Sequence, residues 1–188
     1  MDMTHLCQEI DRLLAQKGRI LLAIDGRCGA GKTTLATQLA GRYDCNLFHM
    51  DDFFLRPEQR TAQRYEEPGG NVDYERFYEE VLTPLRRTDS FSYRKYDCST
   101  QALTPPVLVT PKALNIIEGS YSTHPYFSAP YDFTVFLTTN PETQKRRILQ
   151  RPAHLHEPFF QRWIPMEEAY FRTYSIMEHC DLVIETTL

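Results

Sequence analysis

The sequence predicts an α/β fold in which a mostly parallel sheet carries helices on both faces. Short apolar runs with the character of fully buried strands alternate with segments of helical periodicity, a pattern that calls for crossover connections between parallel strands. A glycine-rich break separates the first of these runs from an amphipathic segment, and acidic residues close two others. The length of 188 residues, with 41% hydrophobic and 24% charged side chains, suits one domain spanning residues 1–188 around one sizeable core.

Residues 4–17 set Leu6, Ile10, Leu13 and Leu14 at helical spacing and predict an amphipathic helix. Arg19 to Ile24 is nearly continuous in apolar character, as a strand buried on both faces must be. The chain breaks over Gly26 to Gly31, and Lys32 to Arg42 then turns Leu35, Ala36, Leu39 and Ala40 inward from a second helix. Cys45 to Met50 is a second short strand, closed by Asp51 and Asp52. Residues 56–72, with two prolines and the Gly69-Gly70 pair, read as a long loop. Asp73 to Arg87 predicts a helix with Asp73 as its N-cap and Phe77, Val81 and Leu85 facing inward, kinked or shortened at Pro84. Tyr93 to Tyr96 and Val107 to Val109 form a small antiparallel excursion, and Leu114 to Ile117 and Asp132 to Leu137 are core strands. Pro141 to Gln150 predicts a helix with proline in its first turn. Residues 152–160, rich in Pro and His, read as a loop before a helix from Phe160 to Met177, and Asp181 to Ile184 is the fifth core strand.

Bulk properties remove several function classes. The formal net charge is −4 and no Lys/Arg run is long, whereas a dedicated nucleic-acid binder shows a basic surplus or stripe. No segment approaches the ~20 apolar residues of a membrane span, and the N-terminus lacks the apolar stretch of a signal peptide. The five cysteines are odd in number and scattered, which fits reduced thiols in cytoplasm better than a disulfide framework or a zinc site.

The strongest local signal is Gly26 to Thr33 (GRCGAGKT), which satisfies G-x-x-x-x-G-K-[ST] between a hydrophobic strand and an amphipathic helix. Glycines allow unusual backbone angles, so amide N–H groups approach phosphate oxygens closely. The helix beginning near Lys32 turns its unpaired amides and dipole toward the same anion. Lys32 is expected to reach the β- and γ-phosphates of ATP, and Thr33 to offer its hydroxyl to Mg2+. Asp51 and Asp52 follow a core strand, and in open parallel sheets the carboxyl ends of strands face the ligand crevice. A carboxylate there either accepts a proton from an attacking hydroxyl or helps to hold Mg2+; a turn cap is the plainer alternative. Glu118 ends its strand in the same way, as a second Mg2+ contact or a solvated strand end.

With these residues the chain resembles the uridine kinase-like P-loop kinases, a group that includes uridine–cytidine kinase, nicotinamide riboside kinase, phosphoribulokinase and bacterial pantothenate kinase. The resemblance runs from Arg19 to Ile184. It rests on Gly26 to Thr34, Met50 to Phe54 (MDDFF), Asn71 to Asp73, Tyr96-Asp97, Ile117 to Gly119 and the basic run Lys145 to Arg151. Asp51 to Glu58 and Pro158 to Pro165 look especially like nicotinamide riboside kinase. The resemblance implies a P-loop NTPase three-layer α/β/α sandwich with a mostly parallel five-stranded sheet and a small lid over about 151–163. It implies ATP and Mg2+ as cofactors and transfer of phosphate to a small-molecule hydroxyl, first of all the 5′-hydroxyl of a ribonucleoside.

On that basis Asp51 is the general base, and Lys32 and Arg147 are catalytic beside it. The ATP-binding set is Gly26, Arg27, Cys28, Gly29, Ala30, Gly31, Lys32, Thr33 and Thr34, with Arg146 and Arg151 from the lid side. Asp51, Phe54, Asp73, Tyr96 and Gln101 meet the substrate, Asp73 at the ribose hydroxyls and Tyr96 at the base. Thr33, Asp51 and Glu118 hold the metal. The chain departs from the uridine kinases in having Gln101 where they carry a base-contacting His, and Arg151 to Glu157 (RPAHLHE) where they carry an Arg-Gly-Arg lid. Other acceptors within the group are nicotinamide riboside, a sugar phosphate or a pantothenate-like alcohol. A regulatory NTPase is the reading from another class, although no N-K-x-D guanine signature occurs. His154 and His156 read as part of a polar loop, and Trp163 either packs in the core or stacks on a substrate. The expected partner is a small molecule, without nucleic acid or membrane, and an oligomer is compatible with the sequence.

Overall fold

The computed structural model describes residues 3–87, 89–128 and 130–186. Its strands are β1 (Ile20–Gly26), β2 (Cys45–His49), β3 (Phe91–Tyr93), β4 (Tyr96–Asp97), β5 (Ala102–Leu103), β6 (Val107–Val109), β7 (Leu114–Glu118), β8 (Phe133–Thr138) and β9 (Leu182–Glu185). Five of them form one all-parallel sheet in the order β2-β7-β1-β8-β9. The register pairs Ile24 of β1 and His49 of β2 with Glu118 of β7, which brings the ends of three strands to one edge. The loops leaving β1, β2 and β7 therefore meet in one place, as the crevice rule for open α/β sheets requires.

Successive residues of a strand face opposite sides. Ile116 joins Leu22, Ile24, Leu35 and Leu39 under α1 (Thr4–Lys17) and α2 (Lys32–Arg42). Its neighbour Ile117 joins Phe48, Phe53, Phe77 and Phe136 on the other face. In α1, Leu6, Ile10 and Leu13 are at most 5% exposed, and each contributes about 2 kcal/mol by leaving water.

On the second face lies α3, helical over 74–85, with Asp73 capping it by accepting from the Arg76 amide at 3.2 Å. Pro84 has no N–H for the carbonyl one turn back. A π turn over Tyr78–Leu82 widens the helix just before the proline, and the helix ends at Leu85. Helix α4 is Pro141–Leu149, capped by Asn140, whose side chain accepts from Thr143.

Two loop expectations are corrected. Residues 153–155 make a 3-10 turn, and 156–173 are helical (α5) through a π turn at Phe159–Trp163. Pro158 stands in the first turn, where a missing N–H costs nothing, and Pro165 follows directly on the π turn, as Pro84 does in α3. Ser175, at φ 48°, interrupts the helix predicted to reach Met177. Within 56–72, Thr61 caps a short helix, Ala62–Glu66, by accepting from the Arg64 amide. The antiparallel excursion resolves into two pairs, β3 with β6 and β4 with β5. Among the described residues no helix is long and apolar enough to cross a membrane, and all five cysteines are free thiols.

Candidate active site

Gly26 ends β1 at φ +131°, where an added Cβ would lie 2.0 Å from the carbonyl oxygen of Leu137 on β8. This glycine is required for the chain to leave the sheet beside β8, so its role is in packing. Gly31 is different: it caps α2 at φ +96° and nothing lies within 4 Å of the Cβ position. A cap without a side chain leaves the first-turn amides of α2 without that partner. Lys32, Thr33 and Thr34 line a cleft of 930 Å³, together with Cys28, Gly29 and Ala30.

The same cleft is lined by Asp51, Glu118, Arg147 and Arg151, so the phosphate loop and the acids closing two neighbouring strands open onto one space. The Lys32 ammonium donates to Gly26 O (2.6 Å), Arg27 O (3.1 Å) and Ser120 Oγ (3.1 Å). Ser120 donates in turn to Glu167 of α5 at 2.6 Å, and Glu167 accepts from the Cys28 amide at 3.0 Å. Burial pushes the Glu167 carboxyl up, and the Lys32 charge and these hydrogen bonds oppose that shift.

Asp51 is open to the cleft, but the protein around it displaces enough hydration to raise its carboxyl above the ordinary range. Lys32 opposes the rise and Glu118 adds to it. Glu118, 5% exposed, has both carboxylate oxygens 3.3 Å from Thr33 Oγ1 and one of them 2.5 Å from His49 Nδ1. The hydrogen bond to Glu118 raises the His49 pKa. A hydroxyl with two nearby carboxylates is an all-oxygen donor set suited to a hard cation such as Mg2+.

The remaining expected residues divide. Phe54 lines the cleft, and Arg147 donates to Gly29 O (2.8 Å) and Thr186 Oγ1 (3.0 Å) beside the phosphate loop. Arg151 lies over the Phe159 ring at 4.7 Å. Arg27 turns away, gripping Glu168 with two hydrogen bonds (2.5 and 3.0 Å) and Thr138 with a third. Arg146 is exposed and is not among the residues lining the cleft.

Asp73 is 2% exposed and lies outside the cleft lining, with Oδ2 3.5 Å from Arg76 and 3.7 Å from Arg56. Tyr96 is 4% exposed, and its hydroxyl accepts from Arg60 at 3.1 Å; Gln101 sits exposed at φ 52° between β4 and β5. Neither of them lines the cleft. Of the lid residues, Trp163 reaches the cleft while packing edge-on against Phe159 at 4.7 Å, and His154 and His156 do not line it.

Sequence reasoning missed Asp25, His49, Ser120 and Glu167. Asp25, fully buried, accepts from the amides of Gly26 (2.7 Å), Tyr121 (3.1 Å) and Thr123 (3.0 Å) and from the hydroxyls of Thr123 (2.7 Å) and Tyr170 (3.0 Å). Burial raises its pKa against the hydrogen bonds from Thr123 and Gly26 and the charge of Lys32. Its donors tie the phosphate loop, the segment after β7 and α5 to one carboxylate. An acid just before the motif glycine was the one available signal; the others depend on contacts 47 to 139 residues away in sequence.

No protein-family model matches the chain, and no curated protein matches it. Solved structures do. A possible uridine kinase from Bacillus stearothermophilus is 23% identical, with 96% of this chain and 100% of that chain covered at a TM-score of 0.69. A proposed fructose transport system kinase from Silicibacter sp. TM1040 is 21% identical (98% and 99% covered, TM-score 0.66). D-glycerate 3-kinase from Cryptococcus neoformans var. grubii is 14% identical (97% and 96% covered, TM-score 0.66). These likenesses establish the P-loop NTPase α/β/α fold.

Proposed function

We propose that the chain is a kinase transferring the γ-phosphoryl group of ATP to a hydroxyl of a small molecule. The observation that carries this reading is the opening of Lys32 and Asp51 onto one cleft, an ammonium on the phosphate loop after β1 and a carboxylate just past β2, on the far side of β7. The structural neighbours named above as kinases of uridine, of fructose transport and of D-glycerate support it. The acceptor oxygen bonds to the γ-phosphorus in line as the bond from phosphorus to the β–γ bridging oxygen breaks, and ADP leaves with that oxygen. The acceptor proton passes to Asp51, whose raised pKa makes it a better base than an ordinary aspartate.

Lys32 exchanges its loop carbonyls for phosphate oxygens, and Ser120, held by Glu167, keeps the ammonium from swinging away. Arg147 and Arg151 neutralise phosphoryl charge from the α4 side. Thr33 and Glu118, with Asp51, hold Mg2+, and His49 fixes the orientation of Glu118. When bound, the cation draws off charge from the phosphates. Residues 151–163 act as the lid that excludes water from the reacting phosphate.

A ribonucleoside is the acceptor implied by the sequence resemblance. The residues that the resemblance gives to its ribose and base, Asp73 and Tyr96, lie outside the cleft lining, so the acceptor class has to be argued from other residues. The reading is tested by ADP release from Mg-ATP over a panel of small alcohols. Release stimulated by an acceptor, with a phosphorylated product, supports it. Basal ATP hydrolysis indifferent to every acceptor favours a regulatory NTPase instead.

A further inference from the structure

Several arginines outside the cleft are held by carboxylates: Arg27 by Glu168, Arg64 by Glu75, Arg76 by Glu80. Four line the cleft without an ion pair among the described residues; Arg147 and Arg151 lie on the phosphate-loop side, which leaves Arg60 and Arg162. Arg60 donates to Leu55 O (3.0 Å) and to the Tyr96 hydroxyl (3.1 Å), and forms no ion pair among the described residues. Those two bonds fix the guanidinium plane and use two of its five N–H groups. Arg162 lies over the Tyr65 ring at 4.4 Å and has no hydrogen bond or ion pair among the described residues.

Both belong to the acceptor end. Tyr65, on which Arg162 stacks, lies in the short helix that follows Arg60 and lines the same cleft. Arg60 is tied to the carbonyl of Leu55, four residues after Asp51, and Asp51, Leu55, Arg60 and Cys98 all line this cleft. The net charge of the chain is −4, so two unpaired guanidinium groups in a concavity are not the overflow of a basic surface. In a cleft, such charges focus a positive potential, and a planar guanidinium binds carboxylate or phosphate through two parallel hydrogen bonds.

Resting on the kinase reading, we propose that the acceptor is an anionic alcohol, a hydroxyl compound bearing a carboxylate or a phosphate, whose anionic group is held by Arg60 and Arg162 while its hydroxyl faces Asp51. The two guanidinium groups offset the repulsion between an anionic acceptor and ionised Asp51. A cationic acceptor such as nicotinamide riboside is disfavoured by the same charges.

Two measurements test this. In the first, the phosphate loop is filled with a non-hydrolysable ATP analogue and Mg2+, and sulfate is titrated while the fluorescence of Trp163, the only tryptophan, is monitored. Saturable binding that Arg60→Gln and Arg162→Gln each weaken at least tenfold is expected. No saturable binding, or binding indifferent to both substitutions, overturns the proposal. In the second, Mg-ATP turnover is compared for D-glycerate and pantothenate (carboxylates), ribulose 5-phosphate (a phosphate), and uridine, fructose and nicotinamide riboside. Turnover confined to anionic acceptors is expected, with KM for the acceptor raised at least tenfold by either glutamine, KM for ATP unchanged, and partial rescue by Arg162→Lys. The carboxylate and phosphate arms identify the anion. Phosphorylation of uridine with a KM indifferent to both arginines overturns this proposal and leaves the kinase reading standing. An intact sulfate site without transfer to any acceptor counts against the kinase reading instead.

Discussion

Replacing Asp25 by asparagine removes one charge and changes one atom, and the geometry makes that change expensive. One carboxylate oxygen accepts from the Gly26 and Tyr121 amides, the other from the Thr123 amide and the Thr123 and Tyr170 hydroxyls. Hydroxyls rotate to accept from an NH2 group, but backbone amides cannot. Whichever way the asparagine amide is turned, its NH2 faces at least one backbone N–H at about hydrogen-bonding distance. One charge-assisted bond is lost, at about 1.5–3 kcal/mol, and a buried donor is left unsatisfied, at about 1–3 kcal/mol. The lower cost of burying a neutral amide offsets part of this, leaving about 3 kcal/mol, or roughly a hundredfold in the folding equilibrium. Urea unfolding monitored by circular dichroism measures it as a lower midpoint at unchanged slope. A loss below about 1 kcal/mol would refute the reasoning that this carboxylate ties the loop, the β7 exit and α5 together.

Three further outcomes rest on the same geometry. Gly26→Ala places a methyl 2.0 Å from Leu137 O at φ +131°, so the variant should lose about 3 kcal/mol or more, read as a lower melting temperature or failure to accumulate folded protein. Asp51 holds its proton to higher pH than an ordinary aspartate, so on acidification the base is lost earlier: the acid limb of kcat/KM should fall above pH 3.8, and a limb at or below that value contradicts the assignment. Glu118→Gln removes a charged oxygen opposite Thr33 and His49, and a Mg2+ titration should show half-saturation raised roughly tenfold or more; an unchanged titration removes Glu118 from the metal site.

The legible part of the sequence was the local part. The strand, glycine loop and helix from Ile20 to Arg42 can be read almost to the residue, because the motif and its periodicity are contiguous. The cap at Asp73 is legible for the same reason. Positions inside the motif are not equal, however: the side chain of Arg27 belongs to Glu168, a partner 141 residues away. Glu167 and Ser120 carry no local mark, since only folding brings α5 beside the loop. The Pro- and His-rich stretch after Arg151 misleads because a proline in a first turn, such as Pro158, is no bar to a helix. The arginines of the acceptor end are invisible because contacts far apart in sequence hold them in the cleft, Arg60 to the Tyr96 hydroxyl and Arg162 over the Tyr65 ring.

The most direct test of the account is single-turnover transfer of labelled γ-phosphate to an acceptor by the wild-type chain and by Asp51→Asn, with ATP affinity measured in parallel. The account predicts labelled phosphate on the acceptor hydroxyl, transfer slowed by about a thousandfold in the variant, and affinity for ATP without Mg2+ within about twofold of wild type. Transfer at an undiminished rate from Asp51→Asn, or loss of nucleotide binding in step with activity, would contradict the assignment of Asp51 as the group that takes the proton.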